Sequence, residues 1–444
     1  MATPEQPRFT IVGAGLAGAL LACYLGRAGY RVDVYEKRSD PRCQDPNGGR
    51  SINLAISARG LQALREVGLA DEVLEAAIPM RGRMMHSRTG ALSFQPYGKD
   101  ETESIYSVSR ADLNRTLVNA AARCASVQMF FEKKCVGVDL RSAHLTILDE
   151  VSHTTSELAG ETVIGCDGVY SVVRAHMQKE DRFNYQQDYL THGYKELTMP
   201  AGPQGSFAME KHALHIWPRR SFMLIALPNL DGSFTCTLFC PFEGPNSFAS
   251  LQTEGEVRRF FGEQFPDALA LLPGLAADFF KNPTGSLLTV RCSPWHVDGK
   301  VVLLGDACHA VVPFLGQGMN AAFEDCTVLN RCLTEQAPNW KAAFATYELR
   351  RKVHVDTLAG LCLDNFIEMR DRVGSQTFLL KKRWEVFLHK LFPMWYLPLY
   401  TLVTFTCTPY AEALRRVRKQ NRIVRSVVVL LAGGVIGLIT WWCW

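Results

Sequence analysis

Phe9-Thr10-Ile11-Val12-Gly13-Ala14-Gly15-Leu16-Ala17-Gly18 is the stretch whose reading decides the fold. An apolar run ends in Gly-x-Gly-x-x-Gly and passes directly into Ala19-Leu20-Leu21-Ala22-Cys23-Tyr24-Leu25, a helical segment. A second apolar strand, Arg31-Val32-Asp33-Val34-Tyr35, then closes on Glu36. Each residue type has a task in a strand–turn–helix that binds a dinucleotide. Gly13 permits the tight turn, Gly15 lets a pyrophosphate approach the backbone, and Gly18 lets the helix pack on the strand. The helix N-terminus offers partial positive charge to phosphates, and Glu36 can accept both ribose hydroxyls. Glycines also end strands for purely structural reasons, and a lone Gly-x-Gly-x-x-Gly is a weak signal. Here strand, helix, second strand and acid stand in register, which predicts dinucleotide binding.

The 444 residues are enough for several domains that share large cores. Hydrophobic residues at 47% and charged residues at 21% indicate a globular chain, slightly apolar. The 14 cysteines form no close C-x-x-C pair, and Cys23, Cys166, Cys236 and Cys240 sit inside apolar runs, as the reduced, buried thiols of a chain facing the cytosol do. Met1 to Pro7 is short and polar, so no signal peptide is expected before the first strand.

The net charge of +4 is uneven, because Arg415, Arg416, Arg418, Lys419, Arg422 and Arg425 cluster with no acid among them. Nucleic acid is one partner for such a cluster, but the following residues point elsewhere. Val427 to Trp444 (VVVLLAGGVIGLITWWCW) is uncharged and apolar, with tryptophans at its end. A bilayer span needs ~17–25 such residues. Basic residues before the run and aromatics at its far end match cytoplasmic and interfacial flanks. The alternative is a buried terminal helix. The expectation is a membrane anchor over 427–444, a lipid bilayer as partner, and no nucleic acid.

In chain order, a loop rich in Pro, Gly and Asp spans Ser39 to Gly49, and Arg50-Ser51-Ile52-Asn53-Leu54-Ala55 follows. Leu61, Leu64, Val67 and Leu69 make an apolar stripe at helical period between Ser57 and Ala77. Ile78 to His86 reads as one strand carrying Arg81 and Arg83 on either side of Gly82, and Gln95-Pro96-Tyr97-Gly98 reads as a turn. Tyr106 to Asn114 reads as strand, cap and helix, with Arg110 at the helix entrance, where it either meets a phosphate or pairs with Asp112. Thr162 to Gly168 is a short strand ending in Asp167-Gly168, followed by a helix start at Ser171 to Arg174. From Thr191 to Phe242 the pattern is strands, with Asn229-Leu230-Asp231-Gly232 as a hairpin turn. One face of this antiparallel sheet can floor a pocket, although core packing explains most of its residues.

Lys300 to His309 is another strand, closing on Gly305-Asp306, and Val312-Pro313-Phe314-Leu315-Gly316-Gln317-Gly318-Met319-Asn320 opens a helix. Asp at a strand end can accept from polyol hydroxyls, and the Gly-x-Gly-x-Asn turn presents backbone N–H groups to an electron-rich ring edge. Cys308 and His309 invite a metal reading, but no second ligand stands at metal spacing, so no metal is expected.

With these motifs in order, the chain resembles the single-component flavin-dependent aromatic hydroxylases. Besides the Gly-x-Gly-x-x-Gly with Glu36, Asp167-Gly168 and Gly305-Asp306, the segments RSINLA (50–55), RGRM (81–84), HIWPR (215–219) and VPFLGQGMN (312–320) carry the likeness over nearly the whole chain. The resemblance implies an α/β fold: a Rossmann-type FAD-binding domain with an inserted antiparallel β-sheet substrate domain, a helical C-terminal region and a C-terminal membrane anchor. The expected organisation is 1–180 and 286–340 for the FAD-binding domain (with a substrate-contacting segment at 78–100), 181–285 for the sheet, 341–426 for the helical cap and 427–444 for the anchor. It also implies FAD as cofactor, NADPH and O2 as co-substrates, L-kynurenine as substrate, and hydroxylation through a flavin hydroperoxide, so that no protein side chain acts as catalytic acid or base. For animal members it further implies the mitochondrial outer membrane, with the catalytic body facing the cytosol.

Carried over residue by residue, the resemblance assigns FAD to Gly13, Gly15, Ala17, Gly18, Tyr35, Glu36, Lys37, Arg38, Ala55, Arg110, Cys135, Asp306, Met319 and Asn320. Arg83, Tyr97, Asn365 and Tyr400 are assigned to substrate. The residue chemistry fits. An amino-acid carboxylate calls for a bidentate cation, which Arg83 offers, and Tyr97 can donate to the same group. Asn365 can bond a ketone or amine, with Glu368 on the same helix face. Leu214, Ile225, Leu227, Phe239 and Phe314 are candidates for an aryl pocket and equally for plain core. His389, Lys390, Pro393 and Pro398 place the apolar stretch 386–406 on the body of the protein rather than in lipid. A lipid-directed flavoenzyme would share the flavin motifs without needing an arginine fork, and a flavin-bearing docking protein would show no turnover.

Overall fold

Strand Arg8–Val12 is the centre of the first sheet. It pairs in parallel with Arg31–Tyr35 on one side and with Thr162–Gly165 on the other. Val301–Leu303 extends the sheet beyond Thr162–Gly165, and Val127–Phe130 extends it beyond Arg31–Tyr35. The two-residue strand His296–Val297 closes the edge in antiparallel sense. Both faces are covered, by helix Leu16–Arg27 and its neighbours, which is why these strands read as unbroken apolar runs rather than alternating ones. The computed structural model describes residues 7–43, 53–98, 103–368, 376–392 and 395–442. Most of the Pro/Gly/Asp loop, together with Arg50 to Ile52, therefore lies outside the described residues.

The expected Rossmann arrangement is present. Ser109 accepts from Asp112 N–H to cap helix Arg110–Ala122, and Asp167 accepts from the N–H groups of Val172 and Val173 at the start of helix Val172–Met177. Asp112 pairs with Arg115 rather than with Arg110, because an acid in the first turn meets the residue three positions on.

The second large sheet has seven strands, in spatial order Gly285–Ser293, Asn184–Met199, Phe234–Pro241, Phe222–Pro228, Ala213–Arg219, Gly82–His86 and Leu92–Pro96. It reaches beyond the expected 181–285 span at both edges. The single strand expected over Ile78 to His86 is two: Ile78–Met80 joins a small three-stranded sheet, whereas Gly82–His86 pairs with Ala213–Arg219 in parallel and with Leu92–Pro96 antiparallel. The switch occurs at Arg81–Gly82. A Cβ on Gly82 would stand 2.5 Å from the Gln95 carbonyl oxygen, so only glycine lets the two strands approach there.

Alternation along the strands sorts this sheet into two faces. Leu197, Trp217, Leu224, Cys236 and Leu238 point to one side, against Phe260, Phe261, Phe265 and Phe279 of the helices within 254–281. Those helices interrupt the strand-rich region without having been anticipated in the sequence. Ile216, Met223 and Phe239 point the other way, toward Phe314 and helix Trp340–Ile367.

Helices Gln376–Leu391, Leu399–Thr404 and Tyr410–Trp442 complete the described chain. Leu402 and Val403 are buried in the same cluster as Phe314. The anchor is a different matter. Among the described residues no helix is long and apolar enough to cross a membrane. Helix Tyr410–Trp442 spends its first half on the basic cluster, and most side chains of the expected span 427–444 lie outside the described set.

Candidate active site

The glycine turn is built as its sequence requires. Gly13 has φ +100°, and a Cβ there would stand 2.6 Å from the Cys166 carbonyl oxygen. A Cβ on Gly18 would collide with the carbonyl oxygen of Gly13, so helix and strand touch backbone to backbone. Gly15 is the opposite case. Its Cβ position meets nothing but the Arg38 guanidinium, 3.9 Å away. The open space over Gly15, bounded by a helix N-terminus and a cation, has the shape and charge a pyrophosphate needs.

Glu36 is buried and accepts from the Ala14 N–H at 2.8 Å and from Arg38 N and Nε at 3.0 and 2.9 Å. Burial pushes its carboxyl upward, but the Arg38 guanidinium and the backbone donors outweigh this and hold it below the usual range. It is therefore a carboxylate poised beside the cradle. Lys37 and Arg38 are exposed next to it. The Tyr35 ring is buried and stacks on Phe130 with centroids 4.8 Å apart. Cys135 is likewise buried, with Sγ against the Gly137 carbonyl and burial pushing the thiol up to about 12.

At the far end of the cradle the remaining expected cofactor residues converge. Gly305 has φ +65°, and its Cβ position lies 3.6 Å from Ala17 Cβ, which places Asp306 at the mouth of helix Leu16–Arg27. Asp306 is exposed to the cleft, and no hydrogen bond to its carboxylate is present among the described residues. The Arg110 guanidinium lies within electrostatic reach of this carboxylate. Asp306 and Arg110 thus face one cleft from two elements, with Tyr194 also within electrostatic reach of Arg110. The Asn320 side chain is fully occupied, donating to the Ala55 and Gly316 carbonyls and accepting from Ser57 N–H. What it and Met319 can offer a flavin is backbone N–H at the start of helix Gly318–Gln336, where intrahelical partners are missing. A glycine cradle, a ribose-accepting carboxylate, an acid at a strand end and a helix N-terminus together fit FAD.

Three of the four residues expected to contact substrate, Arg83, Tyr97 and Tyr400, come together beside the second large sheet. Arg83 neighbours Leu214 across the parallel pair and stands with Ile216, Ile225 and Phe239 on one face. Its guanidinium lies 4.8 Å from the Tyr400 ring centroid and 5.7 Å from that of Tyr97. Both Arg83 Nε and the Tyr97 hydroxyl are buried without a partner of hydrogen-bond geometry, although each is close enough to its neighbours to interact electrostatically. Burial would lower the Arg83 pKa, but the phenol oxygens of Tyr400 and Tyr97 outweigh it, so the cation persists. Burial keeps Tyr97 a neutral donor. The apolar guesses share this environment: Leu214, Ile225 and Leu227 border Tyr97, and Phe239 meets Phe314 at 5.0 Å.

Asn365 lies near the end of helix Trp340–Ile367. Its Nδ2 donates to the Phe314 carbonyl at 2.7 Å, so it ties the long helix to the loop before Gly318. Phe366 beside it stacks on Phe314 at 4.3 Å and was missed, because one aromatic in an apolar helix carries no signal by itself. Tyr194, Ile216 and Met223 were missed too, although the alternation of their strands would have found them. His309 Nε2 lies 2.5 Å from Asp325 Oδ2.

The family described as "FAD binding domain" matches residues 8–359. Kynurenine 3-monooxygenase of Myxococcus xanthus (strain DK1622) is 50% identical over 413 residues, 93% of this chain and 89% of the relative. The enzyme of the same name from Dictyostelium discoideum is 46% identical over 431 residues, 94% and 92% of the two chains. Among solved structures, a tetrameric 2-methyl-3-hydroxypyridine-5-carboxylic acid oxygenase superposes with a TM-score of 0.67 at 21% identity, covering 84% of this chain and 95% of the other. Pseudomonas aeruginosa PqsL superposes with a TM-score of 0.64 at 21% identity, covering 83% and 98%. The solved structures support the fold. Shared sequence along nearly the full length carries the finer assignment: this chain belongs to the FAD-dependent monooxygenases and, within them, to the kynurenine 3-monooxygenase family.

Proposed function

We propose that the protein hydroxylates L-kynurenine to 3-hydroxy-L-kynurenine, with NADPH as reductant and O2 as oxygen donor. The observation that carries this reading is the Arg83–Tyr97–Tyr400 cluster, a persistent cation whose Nε and the neighbouring Tyr97 hydroxyl are buried without a partner of good hydrogen-bond geometry, at the edge of an apolar sheet face. Such a cluster is built for a carboxylate attached to an aromatic body. Arg83 supplies the charge and the Tyr97 hydroxyl a second donor. Leu214, Ile225 and Phe239 bracket the ring and exclude water. Bound FAD supplies the redox chemistry, taking reducing equivalents from NADPH and activating O2. Because the kynurenine ring is an electron-rich aniline, the protein's contribution is orientation in a dry site rather than acid–base chemistry. Gly15, Glu36, Arg38, Arg110 and Asp306 hold the cofactor in this reading, with backbone contributions from Tyr35, Cys135, Met319 and Asn320.

The decisive experiment is NADPH oxidation by FAD-loaded protein against a panel of aromatic amino acids, with product identified by mass. Stimulation by kynurenine with formation of the 3-hydroxy product supports the proposal. Equal oxidation with every member of the panel would sink it. Attachment to the mitochondrial outer membrane through 427–444 belongs to the same proposal and rests on the order of the basic cluster and the apolar run.

A further inference from the structure

We propose that Arg59 is a positioning residue for the reaction: it fixes the segment that carries Tyr400 in register with the flavin-side helix. The inference rests on the reading of Tyr400 as a wall of the substrate site. Arg59 lies on helix Ala58–Glu66 and is 2% exposed. Its guanidinium donates to the carbonyls of Val403 and Thr406, each at 2.8 Å, and to that of Thr408. It also lies 4.0 Å from the centroid of the Tyr410 ring. These contacts collect the end of helix Leu399–Thr404 and the turn after it, where carbonyls lose their helical partners. One side chain therefore holds the stretch that starts with Tyr400.

The other side of Arg59 faces the cofactor end. Its Nε is 3.3 Å from Glu324 Oε2, and Glu324 pairs with Arg351 at 2.6 Å. Arg351 in turn bonds Asp325 at 2.6 Å, and Asp325 meets His309. The two buried arginines are thus matched by two carboxylates. Ser57, two residues before Arg59, donates its N–H to Asn320 Oδ1 at 2.9 Å, and a Cβ on neighbouring Gly60 would stand 2.4 Å from the same atom. The Tyr410 hydroxyl reaches Gln317 at 3.1 Å. Helix Ala58–Glu66 is thereby locked to the start of helix Gly318–Gln336, and Arg59 transmits that position to Tyr400. Arg59 does not touch the cleft itself.

Arg59→Lys is the informative variant, because the lysine keeps a charge opposite Glu324 but loses the planar fork that spans several carbonyls. In FAD-loaded full-length protein, we expect normal FAD content and a KM for kynurenine raised about tenfold, about 1.4 kcal/mol. The fraction of oxidised NADPH that yields hydroxylated product should fall. Amide hydrogen exchange, read by mass spectrometry, should speed up over 399–410 and stay unaltered at Leu16–Arg27. Tyr410→Leu, which removes the ring beneath the guanidinium, should shift the same quantities in the same direction and serves if the lysine variant does not accumulate. Unaltered exchange over 399–410 would overturn the clamp. Faster exchange with unaltered KM and coupling would overturn the positioning role. Tyr400→Phe in the same assays separates that outcome from failure of the site reading, since a raised KM there keeps Tyr400 in the site while an unaltered one removes it.

Discussion

Tyr97 and Tyr400 stack with ring centroids 5.2 Å apart and planes 21° from parallel, although one follows a strand of the large sheet and the other opens a helix near the C-terminus. Their contact closes the C-terminal region over the strand that bears Arg83, and Phe405 packs on both rings at 6.2 and 6.1 Å.

Arg83→Met should retain FAD and lose kynurenine affinity. Removing one partner of a desolvated charge-assisted pair leaves the substrate carboxylate unpaired, at a cost of about 2–5 kcal/mol. Spectral titration of the bound flavin with kynurenine measures it, and unchanged affinity removes Arg83 from the site.

Tyr97→Phe separates a functional hydroxyl from a structural one. The hydroxyl is buried without a geometric partner in the free protein, so its removal should leave thermal stability unaltered or raise it. Kynurenine binding should weaken by ~1.5–3 kcal/mol, the range for a hydrogen bond to a charged group. A loss of stability without a loss of affinity would assign the hydroxyl to the scaffold.

Gly15→Val and Gly18→Val should fail in different ways. The space above Gly15 is open, so the first variant should fold and bind no FAD, whereas a side chain at Gly18 strikes the Gly13 carbonyl and should prevent folding. Far-ultraviolet circular dichroism with flavin absorbance distinguishes the two. A folded, flavin-bearing Gly15→Val protein contradicts the cradle.

His215 should give the fold an acid-side dependence. It is held between His86 at 2.8 Å and the Glu210 carbonyl at 2.8 Å, and burial lowers its pKa to about 4 despite the opposing hydrogen bond. Unfolded, it titrates near 6.5. The folded value is the lower one, so the stabilisation is complete above about 6.5 and declines as pH falls toward about 4, by on the order of 3 kcal/mol. Denaturant unfolding of the wild type and of His215→Gln across this window checks it, and the variant should show the flatter profile.

Deleting residues 427 onward should leave hydroxylation intact and reduce binding to anionic vesicles. Deleting from 386 removes Tyr400 and the carbonyls that Arg59 holds, and should abolish activity. Equal behaviour of the two truncations would refute the division between body and tail.

What the sequence determined by itself is local in physical origin. The turn at Gly13, the open backbone at Gly15, the contact at Gly18 and the acid at Glu36 follow from backbone sterics and strand periodicity over a short stretch, so they are readable residue by residue. The resemblance over the whole chain added the family and, with it, the cluster of Arg83, Tyr97 and Tyr400. Tertiary structure alone decided how partners distant in the chain meet. It divided Ile78 to His86 between two sheets, because Gly82 admits a close strand that only register supplies. It turned Asn365 toward the Phe314 carbonyl, and it filled the Asn320 side chain with backbone partners that no spacing announces. It also buried Arg59 against the Tyr400 segment, where an arginine inside an amphipathic helix would otherwise read as a solvated charge. A buried charge or amide must be satisfied wherever the fold brings a partner, and that partner is chosen by packing rather than by neighbours in the chain.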